Sequence, residues 1–318
     1  MARFGRRSLL ATLPGLAFVN APAGAQEMPL KLGTATAGGG FPVYGAAFIG
    51  ALRIADPTLE IDEVNTKGST ENVPLLEDGK LDLALVQGEV AQEVFSGAGR
   101  PPTALKVVTA MYASPGMFVV RADSRYYSIA DLKGQPVAWG ARGSGLVILG
   151  RNVVDGIGLD ATKDFEPVYL DRAGDGPAMV IDGQVAALWG GGVRWPGFVA
   201  VANSPAGARF LVPDTGEIER ILAKYGFLRR LTVPAGMYRG QGEPLETVGS
   251  WSFVLARPGF PDGVGHRLAA ALIKVERLRL ESKQLSETTA RNTLAALPRP
   301  GSLQPGVEAY YREIGLLP

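Results

Sequence analysis

The sequence predicts a two-lobed α/β protein, two doubly wound α/β domains joined by two crossover segments with a cleft between them. Three observations predict it. Short apolar runs with strand character alternate with helical stretches, once before residue 115 and once again after it. A glycine-bearing strand–turn–helix stands at an equivalent place in each half, GTATAGGG at 33–40 and GARGSG at 140–145. The chain is also too long for one simple core: 293 of its 318 residues remain once a 25-residue leader is set aside.

That leader is read from its chemistry. Residues 1–25 carry Arg3, Arg6 and Arg7 and no acidic side chain, then an apolar stretch from Leu9 to Val19, then Ala23-Gly24-Ala25. This is the layout of a cleavable secretory signal. Its apolar run falls short of the about 20 residues a bilayer span needs, and no later segment supplies one. The expected location is therefore periplasmic. RRSLL fits a twin-arginine signal as well as an ordinary Sec signal. Loss of the leader removes three arginines and moves the formal charge from +1 to −2. No basic footprint for nucleic acid or an anionic membrane remains. Cysteine is absent, so stability must come from the core, and an apolar content of 46% supplies one.

Each element follows in turn. Leu30–Gly33 reads as a strand, and a glycine turn leads into a helix from Phe41 to Ala55. Leu59–Val64 alternates as a half-buried strand does. A short helix over Asn72–Glu77 precedes Leu81–Gln87, a continuous apolar run suited to a buried parallel strand. Val107–Tyr112 and Met117–Arg121 read as two strands joined at Pro115-Gly116. The second half repeats the theme: strand Pro136–Gly140, helix Ser144–Val154, strand Phe165–Leu170, helix Pro177–Ile181, strand Val185–Trp189. Strand Arg209–Val212 and helix Glu217–Tyr225 follow, then a Gly/Pro-rich crossing over Thr232–Glu243. A strand at Ser252–Ala256, a helix from Gly263 to Leu280 and a last helix over Val307–Ile314 complete the chain. The expected division is 26–115 plus 245–318 for lobe 1 and 116–244 for lobe 2.

Both glycine turns aim helix N-terminal amides into the cleft. Such amides are unpaired donors at the positive end of a helix dipole, and they suit an anion. Ligands of doubly wound sheets also sit beyond the carboxyl ends of the strands, where these turns lie.

Four segments resemble a known family. LGTATAGGGFPVYG is similar to GTGS-x-GG-x-YYP-x-G, the opening motif of the TAXI-type receptors of TRAP transporters. TKGSTENVPLLEDGKLDLALVQGEVA at 66–91, GARGSG at 140–145 and VPAGMYRGQGEPLETVG at 233–249 resemble the next three motifs, in family order. The resemblance implies a type II periplasmic-binding-protein fold with a ligand closed between the lobes. It implies ligands such as amino acids and dicarboxylates (glutamate, glutamine, 2-oxoglutarate) and a fused TRAP transporter membrane subunit as partner. The chain departs from the pattern at Phe41 and Pro42, which replace paired tyrosines, at Glu89 in place of Asp, and at Leu146 in place of Thr. These positions are where specificity is set.

The candidate ligand residues follow. Thr34, Ala35 and Thr36 form a turn whose amides and hydroxyls suit a carboxylate, although Gly38–Gly40 equally serve a tight turn. Tyr44 either closes over the ligand or is buried between helix and sheet. Gly68, Ser69 and Thr70 precede the second helix and face the same cleft, with Asn72 as its N-cap and Pro74 in its first turn. Gln87 ends a buried strand on the cleft side, where its amide donates or accepts. Ser144 and Gly145 mirror the first site. Arg142 and Arg172 are bidentate partners for a carboxylate or merely solvated arginines. Trp189 and Trp195 flank GGGVR, and either one stacks on the ligand or both belong to the core.

Catalysis is not expected. The single histidine, His266, lies in a late amphipathic helix, and no cysteine exists to serve as nucleophile. No His/Cys/Asp grouping has metal-ligand spacing, and neither glycine turn continues as a phosphate loop or a dinucleotide fingerprint. The expected protein is thus a monomeric receptor without cofactor or metal, binding a small anionic organic solute. Delivery to a transporter is the first reading, and reporting to a membrane signalling partner the second.

Overall fold

The computed structural model describes Met1 and residues 28–97, 101, 103–278 and 283–318. The expected leader (Met1 apart) and the end of the long helix at 279–280 lie outside the described residues. The first half runs β1 Leu30–Gly33, α1 Gly40–Ala55, β2 Ile61–Val64, α2 Ser69–Glu77, β3 Leu83–Val86, α3 Gly88–Ser96 and β4 Lys106–Arg121. The second runs β5 Pro136–Ala141, α4 Gly145–Gly156, β6 Glu166–Leu170, α5 Gly176–Ile181, β7 Ala187–Gly191, α6 Pro196–Asn203, β8 Ala208–Leu211 and α7 Thr215–Lys224. The chain returns through β9 Arg229–Val233, β10 Leu245–Ala256, α8 Asp262–Leu278, α9 Ala290–Ala296 and α10 Pro305–Glu313.

Parallel strands form one core of each lobe: β1 pairs with β2 and β3, and β5 pairs with β6 and β7. All four residues of β3, Leu-Ala-Leu-Val, are buried, as helices on both faces of a parallel sheet require. Two long strands then join the lobes. β4 pairs antiparallel with β10 as far as Pro115 and with β7 from Gly116 onward. β10 pairs with β9 over Leu245–Gly249 and with β4 and β3 beyond it. The sheets are therefore mixed, with antiparallel strands where the chain crosses.

The join at Pro115-Gly116 is one continuous strand, not the expected two. Proline lacks an N–H, so it fits where a strand exchanges one partner for another. At Gly116 a Cβ would lie 2.5 Å from the Trp189 ring, so only glycine lets that indole close on the strand. The second crossing runs through β10 itself, and the expected crossing segment begins inside β9.

Separate cores stabilise the lobes. Tyr44, Phe48 and Leu52 of α1 pack with α8 and α10 in the first, and Phe118, Trp139 and Trp189 stack edge to tilt in the second. Among the described residues no helix is long and apolar enough to cross a membrane.

Candidate ligand cleft

Helix starts position the cleft. α2 begins at Ser69, three residues ahead of the expected start, and Gly68 is its N-cap at φ 114°. Asn72 is accordingly not the cap. Its Nδ2 donates to Thr34 O at 2.9 Å and Leu85 O at 2.8 Å, tying the helix to both neighbouring strands. The N-caps of α1, α2 and α3 are Gly39, Gly68 and Gln87, and none of them caps with a side chain. Of the four helices that start at the cavity, α4 alone is capped, by the Ser144 hydroxyl accepting from Leu146 N. Their first-turn amides are left to a neighbouring segment or a ligand.

The lobes meet in two hydrogen-bonded clamps on either side of a shared space. In one, Gly174 N donates to Ala37 O, Ala173 N to Thr36 Oγ1 and Trp195 Nε1 to Gly38 O, each at 3.2 Å. In the other, Thr70 donates to Gly143 O from its amide at 3.2 Å and its hydroxyl at 3.1 Å. Glycine is required at these contacts. A Cβ on Gly143 would lie 2.4 Å from Lys67 O, and one on Gly145 would lie 2.4 Å from Gln87 Cβ. The cleft is closed.

Within the clamps is a cavity of about 60 Å³ for the centres of water-sized spheres. Its first-lobe wall presents Thr36, Ser69 and Gln87, and its second-lobe wall Trp139, Trp189, Trp195, Leu146 and Ser144. Ser69 is buried and its Oγ accepts from Gln87 N at 3.0 Å. Gln87 Oε1 accepts from Ser252 Oγ at 2.9 Å. Its Nε2 has no hydrogen-bond partner, and neither has Trp139 Nε1, although both side chains are at least 98% buried. Buried N–H donors are normally satisfied, so both need an acceptor, and the Glu89 carboxyl, itself unpartnered, lies beside Gln87. The other two indoles are spoken for: Trp189 Nε1 donates to Leu146 O at 2.7 Å.

Behind Gln87 lies Glu89, buried at the start of α3. Burial pushes its carboxyl up to about 7, and the Gln87 and Ser250 side chains beside it only partly offset that rise. A wider hollow of about 530 Å³ lies beyond, sharing Tyr112 and Trp195 with the cavity and lined by Arg194 and Glu287.

The structure brings together Ala35, Thr36, Gly68, Ser69, Gln87, Ser144, Gly145 and Trp189 around the cavity. Five candidates stand elsewhere. Thr34 is buried behind the turn, where its hydroxyl donates to Glu63 Oε1 at 3.0 Å. Tyr44 is fully buried in the first core, with its hydroxyl against Thr288 Oγ1 at 2.9 Å, so it does not close over the cavity. Thr70 serves a clamp. Arg142 is exposed and lies over the Tyr169 ring, and Arg172 pairs with Asp175 at 2.9 Å on the surface. Neither arginine lines the cavity. Trp139, Tyr112 and Ser114 line it and were not expected to.

The profile of the NMT1-like family matches residues 32–315, nearly all of the described chain. The chain belongs to that family. Its fold is the two-lobed one of periplasmic binding proteins. It is similar to PhnD1 from Prochlorococcus marinus (MIT 9301), solved with methylphosphonate, at 13% identity and a TM-score of 0.54 over 91% of this chain and 98% of that one. It is similar also to the alkanesulfonate-binding protein SsuA from Xanthomonas axonopodis pv. citri bound to MOPS, at 21% identity and a TM-score of 0.50 over 91% of each. An ancestral arginine-binding protein bound to arginine matches at 14% identity and 0.52, over 82% and 98%. At these identities the likeness establishes the family's fold, and the cleft chemistry is this chain's own.

Proposed function

We propose that this member of the NMT1-like family is an exported solute-binding receptor. It captures a small organic anion, a carboxylate, in the interlobe cavity and delivers it to a membrane transporter. The observation that carries the reading is the pair of orphan donors, Gln87 Nε2 and Trp139 Nε1, contributed by opposite lobes to one cavity. A ligand bearing acceptor oxygens satisfies both at once and so favours the closed arrangement over the open one. The uncapped starts of α1, α2 and α3 add positive potential at the same place. Binding proteins of this fold solved with a phosphonate, a sulfonate and an amino acid support a solute-capture role. The four ordered motifs support a TAXI-type receptor working with a fused TRAP membrane subunit, and the leader supports periplasmic export by Sec or the twin-arginine route.

Native mass spectrometry of the protein as purified, followed by thermal shift with carboxylates, amines and neutral solutes, tests this. The reading expects a carboxylate to raise Tm by several degrees. Stabilisation by a cation or neutral solute alone would sink it.

A further inference from the structure

We infer that the cavity takes a monoanion with a compact apolar body, a branched short-chain monocarboxylate, rather than the amino acid or dicarboxylate that the motif resemblance implies. The inference rests on the anion-binding reading of the cleft and narrows it. Size comes first. The space open to the centres of water-sized spheres is about 60 Å³, against about 530 Å³ in the adjoining hollow, and so favours a compact ligand body. Isobutyrate and isovalerate are more compact than glutamate and 2-oxoglutarate.

Charge comes second. Lys67 is the one lining residue with a charged side chain, and it is exposed at the rim. No arginine lines the cavity to hold a second carboxylate, and no acidic side chain lines it to hold an ammonium. An unpaired charge of either sign pressed into the second-lobe wall would lose its hydration without compensation.

The wall itself comes third. The Trp189 and Trp195 N–H groups are already bonded to backbone carbonyls, so these indoles offer ring surface only. Leu146 adds an isobutyl group beside them. Leu146 and Phe41 stand where the resembling motifs have a threonine and a tyrosine, and each exchange removes a hydroxyl. A hydroxyl-poor wall rejects a polar tail and gains from an apolar one, by transfer from water. The two unpaired donors, Gln87 Nε2 on one wall and Trp139 Nε1 on the other, suit the head of a single carboxylate.

Titration calorimetry of the purified protein with isobutyrate, isovalerate, succinate, glutamate and isobutyramide tests the inference. One of the two branched acids is expected to bind at least ten-fold tighter than succinate or glutamate, with no heat from the amide. Tighter succinate or glutamate binding overturns the narrowing and leaves the anion cleft standing. Amide binding equal to isobutyrate, or no acid binding at all, overturns both. A second arm uses Leu146→Thr, at a half-buried position in the first turn of α4. It is expected to shrink the preference for isovalerate over succinate at least five-fold with Tm unchanged. An unaltered ratio at unchanged Tm removes Leu146 from the wall and with it the inference.

Discussion

The two walls of the cavity are made of different chemistry. The first lobe presents Thr36, Ser69 and Gln87 beside helix starts, whereas the second presents three indoles, Leu146 and one hydroxyl, that of Ser144. The difference assigns separate tasks. The polar wall recognises a charged head, and the apolar wall covers it, expels water and strengthens each hydrogen bond beneath it. Only Trp139 crosses the division, because its indole N–H remains free. Closure is what joins the walls, and closure depends on backbone approaching backbone at Gly38–Gly174 and Gly68–Gly143.

The comparison breaks most completely if the walls are held apart. Gly143→Val places methyl groups where Lys67 O already lies, and should cost on the order of 100-fold in affinity with Tm changed by about 2 °C or less. Calorimetry with melting curves reads both, and unchanged affinity would show that the clamp is dispensable.

Removing one hydroxyl from each wall comes next. Ser69→Ala with Ser144→Ala should weaken binding about ten-fold, the loss expected of a hydrogen bond or two. An effect below two-fold would remove these hydroxyls from the site.

Glu89 sharpens the account through pH. Its carboxyl titrates at about 7 in the fold against 4.5 for an ordinary glutamate, because burial disfavours the charged form. The folded state therefore holds a proton that the unfolded chain releases. Stability from this group is complete below pH 4.5, falls as pH rises toward 7 and is level above it, a span on the order of 3 kcal/mol. Glu89→Gln should flatten that slope between pH 5 and 7 in denaturant titrations. An unchanged slope would mean that Glu89 is ionised in the fold.

The smallest effects are expected where candidates proved remote. Tyr44→Phe should cost about 1 kcal/mol through loss of the Thr288 bond, with affinity within two-fold. Arg172→Ala should change neither. A ten-fold loss of binding from either variant would relocate the cleft.

Much of this was legible in the residues. β1 matches its expected span, and α4 and β6 start one residue from theirs, because glycine turns and apolar runs bound them. Gln87, Ser69 and Ser144 were legible as cavity-lining residues because each stands where a strand or turn hands over to a helix. Other features were hidden for physical reasons. α3 follows β3 after the single residue Gln87, with no turn residue to mark it. β9 reads Arg-Arg-Leu-Thr-Val, too polar to announce a strand until β10 pairs with it. Tyr44 meets Thr288 across 244 residues, a contact no local pattern carries. Trp139 sits in an apolar strand and looks like core. Its role depends on an N–H that finds no partner, a property of the packed fold alone.

The most direct test of the account is the indole N–H spectrum of the ¹⁵N-labelled protein during a titration with isovalerate. The chain has four tryptophans, and Trp139→Phe assigns the resonance of interest. The account predicts that the Trp139 N–H moves downfield by far the most, as it gains a carboxylate acceptor, while those of Trp189 and Trp195 keep their backbone partners and move little. A saturating ligand that leaves the Trp139 resonance in place would contradict it.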